Sequence, residues 1–207
     1  MAVSRHTLIR ALALGSTASA LALALAFAGC QKSEAPAFKS IDITGAEYGR
    51  ELELTDADGQ RRHLTDFKGK VVVVFFGFTQ CPDVCPTTMV ELAQVKKALG
   101  ADGERVQGVF VTIDPERDTA AVLKAYVISF SPDFVALRGT DEETKAAAKQ
   151  FKVFFAKVPG KSPDSYSMDH TAGSYIFDTQ GHIRLFTRYG SGAEALTHDL
   201  KLLLAQR

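Results

Sequence analysis

Six consecutive apolar residues, Val71-Val72-Val73-Val74-Phe75-Phe76, constrain the fold more than any other segment of this chain. A short run of this kind reads as a buried strand. Directly beyond it stands Cys81-Pro82-Asp83-Val84-Cys85-Pro86, and from Pro86 onward Met89, Leu92, Val95 and Leu99 recur at helical spacing. Both thiols therefore fall in a strand-to-helix turn. A spacing of four is about one helical turn, which brings the two sulfurs to the same side of the helix start. Two thiolates so placed either join as a disulfide or hold a soft metal, and a distant imidazole would complete a site of two sulfurs and one nitrogen. Thiolates suit Cu(I), zinc and iron–sulfur clusters, and imidazole suits copper and zinc. The residues alone leave open a redox dithiol and a metal carrier.

The elements around this turn order themselves as an α/β domain. Glu51-Leu52-Glu53-Leu54 alternates, Asp58-Gly59 supplies a turn, and the chain returns through 61–64 as an N-terminal β-hairpin. After the cysteine helix, Val109-Phe110-Val111-Thr112-Ile113 is a second buried strand, closed by Asp114-Pro115. Asp118 or Thr119 can cap a helix carrying Val122, Leu123, Tyr126 and Val127. A short strand over 134–137 and an Ala/Lys-rich helix over 141–150 follow. Residues 151–157 read as strand-like and 158–169 as a polar loop. Two strands around Asp178-Thr179-Gln180-Gly181 form a hairpin, and a helix from Gly192 through Leu203 ends the domain. A central mixed sheet with helices on both faces, and a dithiol at the start of its first long helix, is the thioredoxin arrangement.

The N-terminus speaks to compartment. Arg5 and Arg10 flank the start of an uncharged Ala/Leu-rich stretch over 11–28, which ends in Phe27-Ala28-Gly29-Cys30. A basic region, an apolar region and small residues before the break describe an export signal over 1–30. Its end resembles a bacterial lipobox, in which Cys30 is lipidated, although Phe27 stands where such boxes usually carry Leu. An uncleaved signal anchor is the alternative, since the apolar stretch just suffices to span a bilayer. In either case the positive-inside rule keeps Arg5 and Arg10 in the cytoplasm. Residues 31–40 read as a linker and 41–207 as the domain, held at the cell envelope and facing the periplasm. With Cys30 carrying lipid, the three cysteines reduce to the one pair four apart. With 24 basic and 24 acidic side chains the chain has no net charge, so nothing in its electrostatics argues for nucleic acid.

Cys-Pro-Asp-Val-Cys-Pro over 81–86, Thr112-Ile113-Asp114-Pro115-Glu116-Arg117-Asp118-Thr119 and Asp169-His170-Thr171, in that order and spacing, resemble the Sco/SenC family over about 38–203. That family consists of membrane-tethered thioredoxin-fold proteins implicated in assembling the CuA centre of cytochrome c oxidase. The resemblance implies that Cys81, Cys85 and His170 ligate copper, as Cu(I) or Cu(II). It also implies delivery to the CuA site on cytochrome c oxidase subunit II, with a periplasmic copper donor and a thiol reductant as further partners. The rival reading is a thiol–disulfide oxidoreductase that reduces the CuA-site cysteines through a redox-active Cys81–Cys85 pair. A peroxide-reducing or redox-sensing thioredoxin relative needs no His170, and zinc fits the same ligand types.

Each marked residue also has a plainer reading. A Cys81–Cys85 disulfide used only as a staple would close a very short loop and stabilise little. A helix N-terminus instead favours thiolate, which lowers the thiol pKa. His6, His63, His182 and His198 read as signal, surface or packing residues, whereas His170 stands just before the strand over 174–177. In thioredoxin-like folds that position often carries a cis-proline, and none stands there in this chain. Asp169 is an orienting neighbour or a loop cap, and Asp83, between the cysteines, tunes their electrostatics or, the cheaper explanation, caps the helix. Asp114, Arg117 and Asp118 are a strand exit and helix start, or a partner-docking surface.

Overall fold

The computed structural model describes residues 37–162 and 165–206. The export signal, Cys30 and most of the linker lie outside the described residues. The compact unit begins at Phe38, and the backbone N–H groups of Lys39 and Ser40 both donate to the buried carboxylate of Asp199 at 2.7 Å. The last residues of the expected linker are thus fastened to the domain.

Among the described residues ten strands and four α-helices follow in order. They are β1 (Ile41–Asp42), β2 (Glu53–Asp56), β3 (Arg61–His63), β4 (Val71–Gly77), α1 (Val84–Ala98), β5 (Val106–Thr112) and α2 (Ala120–Ile128). Then come β6 (Val135–Arg138), α3 (Asp141–Gln150), β7 (Phe155–Pro159), β8 (Tyr166–His170), β9 (Gly173–Phe177), β10 (Ile183–Arg188) and α4 (Ala193–Ala205). Eight strands form one mixed sheet in the order β1-β10-β9-β4-β5-β6-β2-β3, and β7 and β8 pair separately. The apolar run is the centre of the sheet: β4 pairs parallel with β5, Phe75 opposite Phe110, and antiparallel with β9, Val74 opposite Tyr175.

Every residue of β4 is buried, which requires cover on both faces. On one face Phe75 meets Phe110, and Phe110 meets Tyr126 of α2. Val73, on this same face, lines one cavity with Leu92 of α1 and Leu196 of α4. On the other face Phe76 packs 5.1 Å from Phe151, which closes α3 and in turn contacts Tyr175 and Phe177. Each fully buried aromatic of this kind is worth roughly 1.5–3 kcal/mol over its exposed form. The helices start where their chemistry allows. Thr119 accepts from the Val122 N–H to cap α2, and Thr140 and Glu143 form a reciprocal capping box on α3. Pro86 falls in the first turn of α1, where its missing N–H has no intrahelical partner to lose.

Three expectations need correction. Residues 158–169 are not a loop throughout: Val158 and Pro159 finish β7, and Tyr166–His170 is β8, antiparallel to it with His170 opposite Phe155. The strand expected over 151–157 begins only at Phe155, because Lys152 turns the chain with a left-handed φ of 55°. Asp83 stands at the N-cap of α1, but its side chain makes no capping bond there; it accepts from the Tyr189 hydroxyl at 3.4 Å.

A candidate metal centre of two thiols and an imidazole

The sheet delivers three side chains to one point. β4 ends at Gly77, and the chain turns through Phe78-Thr79-Gln80 to Cys81, whose N–H bonds back to the Phe78 carbonyl at 3.2 Å. Cys85, one helical turn later, is fully buried, and its N–H points at Cys81 Sγ across 3.4 Å. β8 ends at His170, whose Nε2 lies 3.7 Å from Cys85 Sγ. The two sulfurs and the imidazole nitrogen all fall within 4.8 Å of one another, and among the described residues this is the one group with metal-ligating composition. Both cysteines are free thiols.

The imidazole is held in one state. Its ring stands edge-on between Phe75 and Phe78, each 6.0 Å away. Nδ1 lies 3.0 Å from the Thr171 carbonyl, which can only accept, so Nδ1 carries the proton and the lone pair sits on Nε2, toward the sulfur. Burial lowers the His170 pKa, outweighing the Thr171 carbonyl and the Asp169 charge, which act the other way. A neutral imidazole is the form that ligates a metal. Asp169 itself is exposed, and the Thr171 carbonyl, not Asp169, holds the ring.

The cysteines do not share an environment. Burial pushes the Cys85 thiol far above the usual thiol range, against the backbone hydrogen bond from Phe78, and Cys81 and Asp118 push it further up. The expectation that the helix start lowers its pKa is corrected here: desolvation of Cys85 outweighs the dipole. Cys81 is half-buried and is the more exposed of the two. Close approach at the back of the site fixes another residue. A Cβ on Gly77 would lie 2.8 Å from Cys85 Sγ and 2.8 Å from the Phe75 ring, so only glycine fits.

In the Asp114–Thr119 segment the two aspartates are buried, while Glu116 and Thr119 are exposed. Thr119 does the capping, which leaves Asp118 free to turn inward. Fully buried, it accepts from Thr79 N–H at 3.1 Å and from the Thr112 hydroxyl at 2.6 Å, and so ties the cysteine loop to the end of β5. Arg117 ion-pairs with the buried Asp114 and reaches both Gln80 and Tyr166. Two adjacent candidate caps, of which one helix can use only one, were the available sign that the other has a different task.

Two thiols and an imidazole converging at the first helix of a thioredoxin-like α/β domain define a protein built to hold a thiophilic ion or to exchange sulfur. The donor set fits copper, the sulfurs suiting Cu(I) and the nitrogen either oxidation state. The SCO1/SenC family profile matches residues 42–205, and the chain belongs to this family. An SCO2-like protein of Rickettsia felis is 38% identical over 136 residues, 65% of this chain and 66% of that protein. The chain thus spans just under two thirds of that relative's length. Among solved structures, Bradyrhizobium japonicum ScoI with copper bound is 39% identical, with a TM-score of 0.69 over 77% of this chain and 100% of that one. Apo Sco1 from Thermus thermophilus is 35% identical, with a TM-score of 0.72 over 81% of this chain and 98% of that one.

Proposed function

We propose that this protein is a tethered periplasmic copper chaperone that takes copper on Cys81, Cys85 and His170 and hands it to the CuA site on cytochrome c oxidase subunit II. The observation that carries this reading is the convergence of two sulfurs and a lone-pair nitrogen within 4.8 Å. Copper here is cargo. Its loading displaces the thiol protons, so a protonated, buried Cys85 is a resting state from which the ion draws a ligand. Transfer of Cu(I) is a ligand exchange with no change of oxidation state. A thiolate of the receiving protein displaces the ligands one by one, and protons return to the thiols left behind. Export and lipidation at Cys30, with the residues from 31 to 37 as tether, would keep the domain at the membrane where the oxidase assembles. A periplasmic copper donor and a thiol reductant are the partners this chemistry needs.

The rival, reduction of the CuA-site cysteines, draws support from the two free thiols standing one helical turn apart. The two readings separate on His170, which a dithiol does not require. Strains carrying His170→Ala and Cys81→Ser are compared for CuA oxidase activity at matched protein levels, alongside copper titration of the reduced full chain. The carrier predicts loss of activity in both strains and one copper bound by the unsubstituted chain. Normal activity in the His170→Ala strain would leave only the thiol enzyme.

A further inference from the structure

The strand that carries His170 has no place in the main sheet. β8 pairs only with β7, and this two-stranded ribbon makes no backbone ladder to β4 or β9. The imidazole must nevertheless meet a sulfur from the loop after β4. The two-residue link Thr171-Ala172 ties His170 to β9, but the far end of the ribbon, at Tyr166, needs another contact to hold it against that loop.

Arg117 is built to do so. Its guanidinium lies 3.6 Å over the ring of Tyr166, the first residue of β8, and donates from Nη1 to the Tyr166 carbonyl at 2.8 Å. The same Nη1 donates to Gln80 Oε1 at 3.2 Å, and Gln80 is the residue before Cys81. Nε pairs with Asp114, whose other oxygen accepts from the Tyr166 hydroxyl at 2.9 Å. The guanidinium also faces the Phe78 ring at 5.9 Å, and Phe78 is one of the two rings that flank His170. One side chain therefore holds the end of β5, the cysteine loop and the histidine strand together.

We propose that Arg117 is a positioning residue for the metal centre: it registers the His170 strand against the cysteine loop, and so brings Nε2 to the sulfurs. The inference rests on Cys81, Cys85 and His170 being the copper ligands. Arg117 touches no ligand atom, and its effect passes through His170. The geometry calls for a planar fork, because stacking on Tyr166 and bonding to Asp114, Gln80 and the Tyr166 carbonyl are made at once. An ammonium offers no such fork.

The test uses the reduced full chain with Cu(II) as the probe, titrated in competition with a chelator and followed by electron paramagnetic resonance for nitrogen coupling. Arg117→Ala is expected to weaken Cu(II) binding roughly tenfold, the size of effect seen when a group orienting a ligand is lost, and to reduce the imidazole coupling. Arg117→Lys, which keeps the charge and the aliphatic stem, is expected to do the same and carries the test if the alanine variant does not fold. Added to His170→Ala, either substitution should weaken binding by less than about twofold further, since the route through His170 is already gone. Wild-type affinity and nitrogen coupling in Arg117→Lys, or losses that multiply in the double variant, would overturn the inference. Failure of the unsubstituted chain to take up copper would overturn the functional reading itself, and this inference with it.

Discussion

Gly77→Ala tests whether packing behind the cysteine loop holds the site in shape. The added methyl would stand 2.8 Å from Cys85 Sγ, 2.8 Å from Phe75 Cε1 and 3.0 Å from Phe110 Cε2. Optimal contacts lie near 3.5–4.0 Å, so the first two are short by about 1 Å. Neither ring has room to retreat, since Phe75 and Phe110 are buried in the centre of the sheet. Overpacking of this kind costs about 1–3 kcal/mol, offset by up to roughly 1 kcal/mol from replacing glycine within a strand. A net loss of about 1–2 kcal/mol corresponds to a fall in Tm of roughly 2–8 °C for a domain of this size. The sulfur is the easier group to move, so copper affinity should fall with stability while Cys81 keeps its reactivity. Thermal unfolding of the apo protein, copper competition and thiol-labelling rates measure the three effects. Unchanged Tm and unchanged copper affinity together would refute the packing argument.

Two further outcomes follow from named contacts. Oxidation to a Cys81–Cys85 disulfide removes both thiolate donors, so the oxidised chain should load no copper until reduced; equal affinity in both states, measured by competition titration, would contradict a shared site. Burial alone would raise the Asp199 pKa, but the Lys39 N–H, the His198 ring and the Ser40 N–H together hold it below its ordinary value. With the folded value below the unfolded one, this contribution is complete above the unfolded pKa near 4 and is lost as pH falls through the folded value. Asp199→Asn should therefore cost about 1.5–3 kcal/mol at neutral pH, as expected for hydrogen bonds to a charged group, and progressively less in acid. A penalty in denaturant melts that does not shrink on acidification would show that the charge plays no part.

What was legible in the sequence divides along physical lines. The β4 run, the helical recurrence after Pro86 and the spacing of the cysteines are local patterns, and each forms the element it implies. His170 was found through the family motifs, since nothing local distinguishes it from a loop histidine. β7 was partly anticipated by the strand expected over 151–157, whereas β8 was missed because the polar, glycine-containing stretch before it dominates the segment. Tyr166, Met168 and His170 nevertheless alternate with the exposed Ser167 and Asp169, the period of a strand. The roles of Asp118 and Arg117 could not be read locally, because their partners Thr79, Gln80 and Tyr166 lie 37–49 residues away. The pKa of Cys85 failed for a related reason: a helix start is visible in sequence, whereas desolvation depends on what the rest of the chain packs over it.

That burial bears on which chemistry the site favours. A thiol–disulfide exchanger must expose one sulfur to attack and then release the mixed disulfide by attack from the second, as a free thiolate. Cys81, the more exposed of the two, is the one that can meet an incoming sulfur. Cys85 would have to deprotonate where burial strongly opposes a negative charge, with the buried Asp118 opposing it too. A bound cation changes this balance, because its charge compensates the thiolate in the same low-dielectric surroundings. Cys85 is therefore a reluctant resolving thiol and a serviceable metal ligand. The neutral His170 adds a third donor beside it, which exchange chemistry does not need. In transfer, the receiving thiolate would enter at Cys81 while Cys85 and His170 hold the ion until it is replaced. The asymmetry of the two cysteines thus supports the proposed carrier over the thiol enzyme.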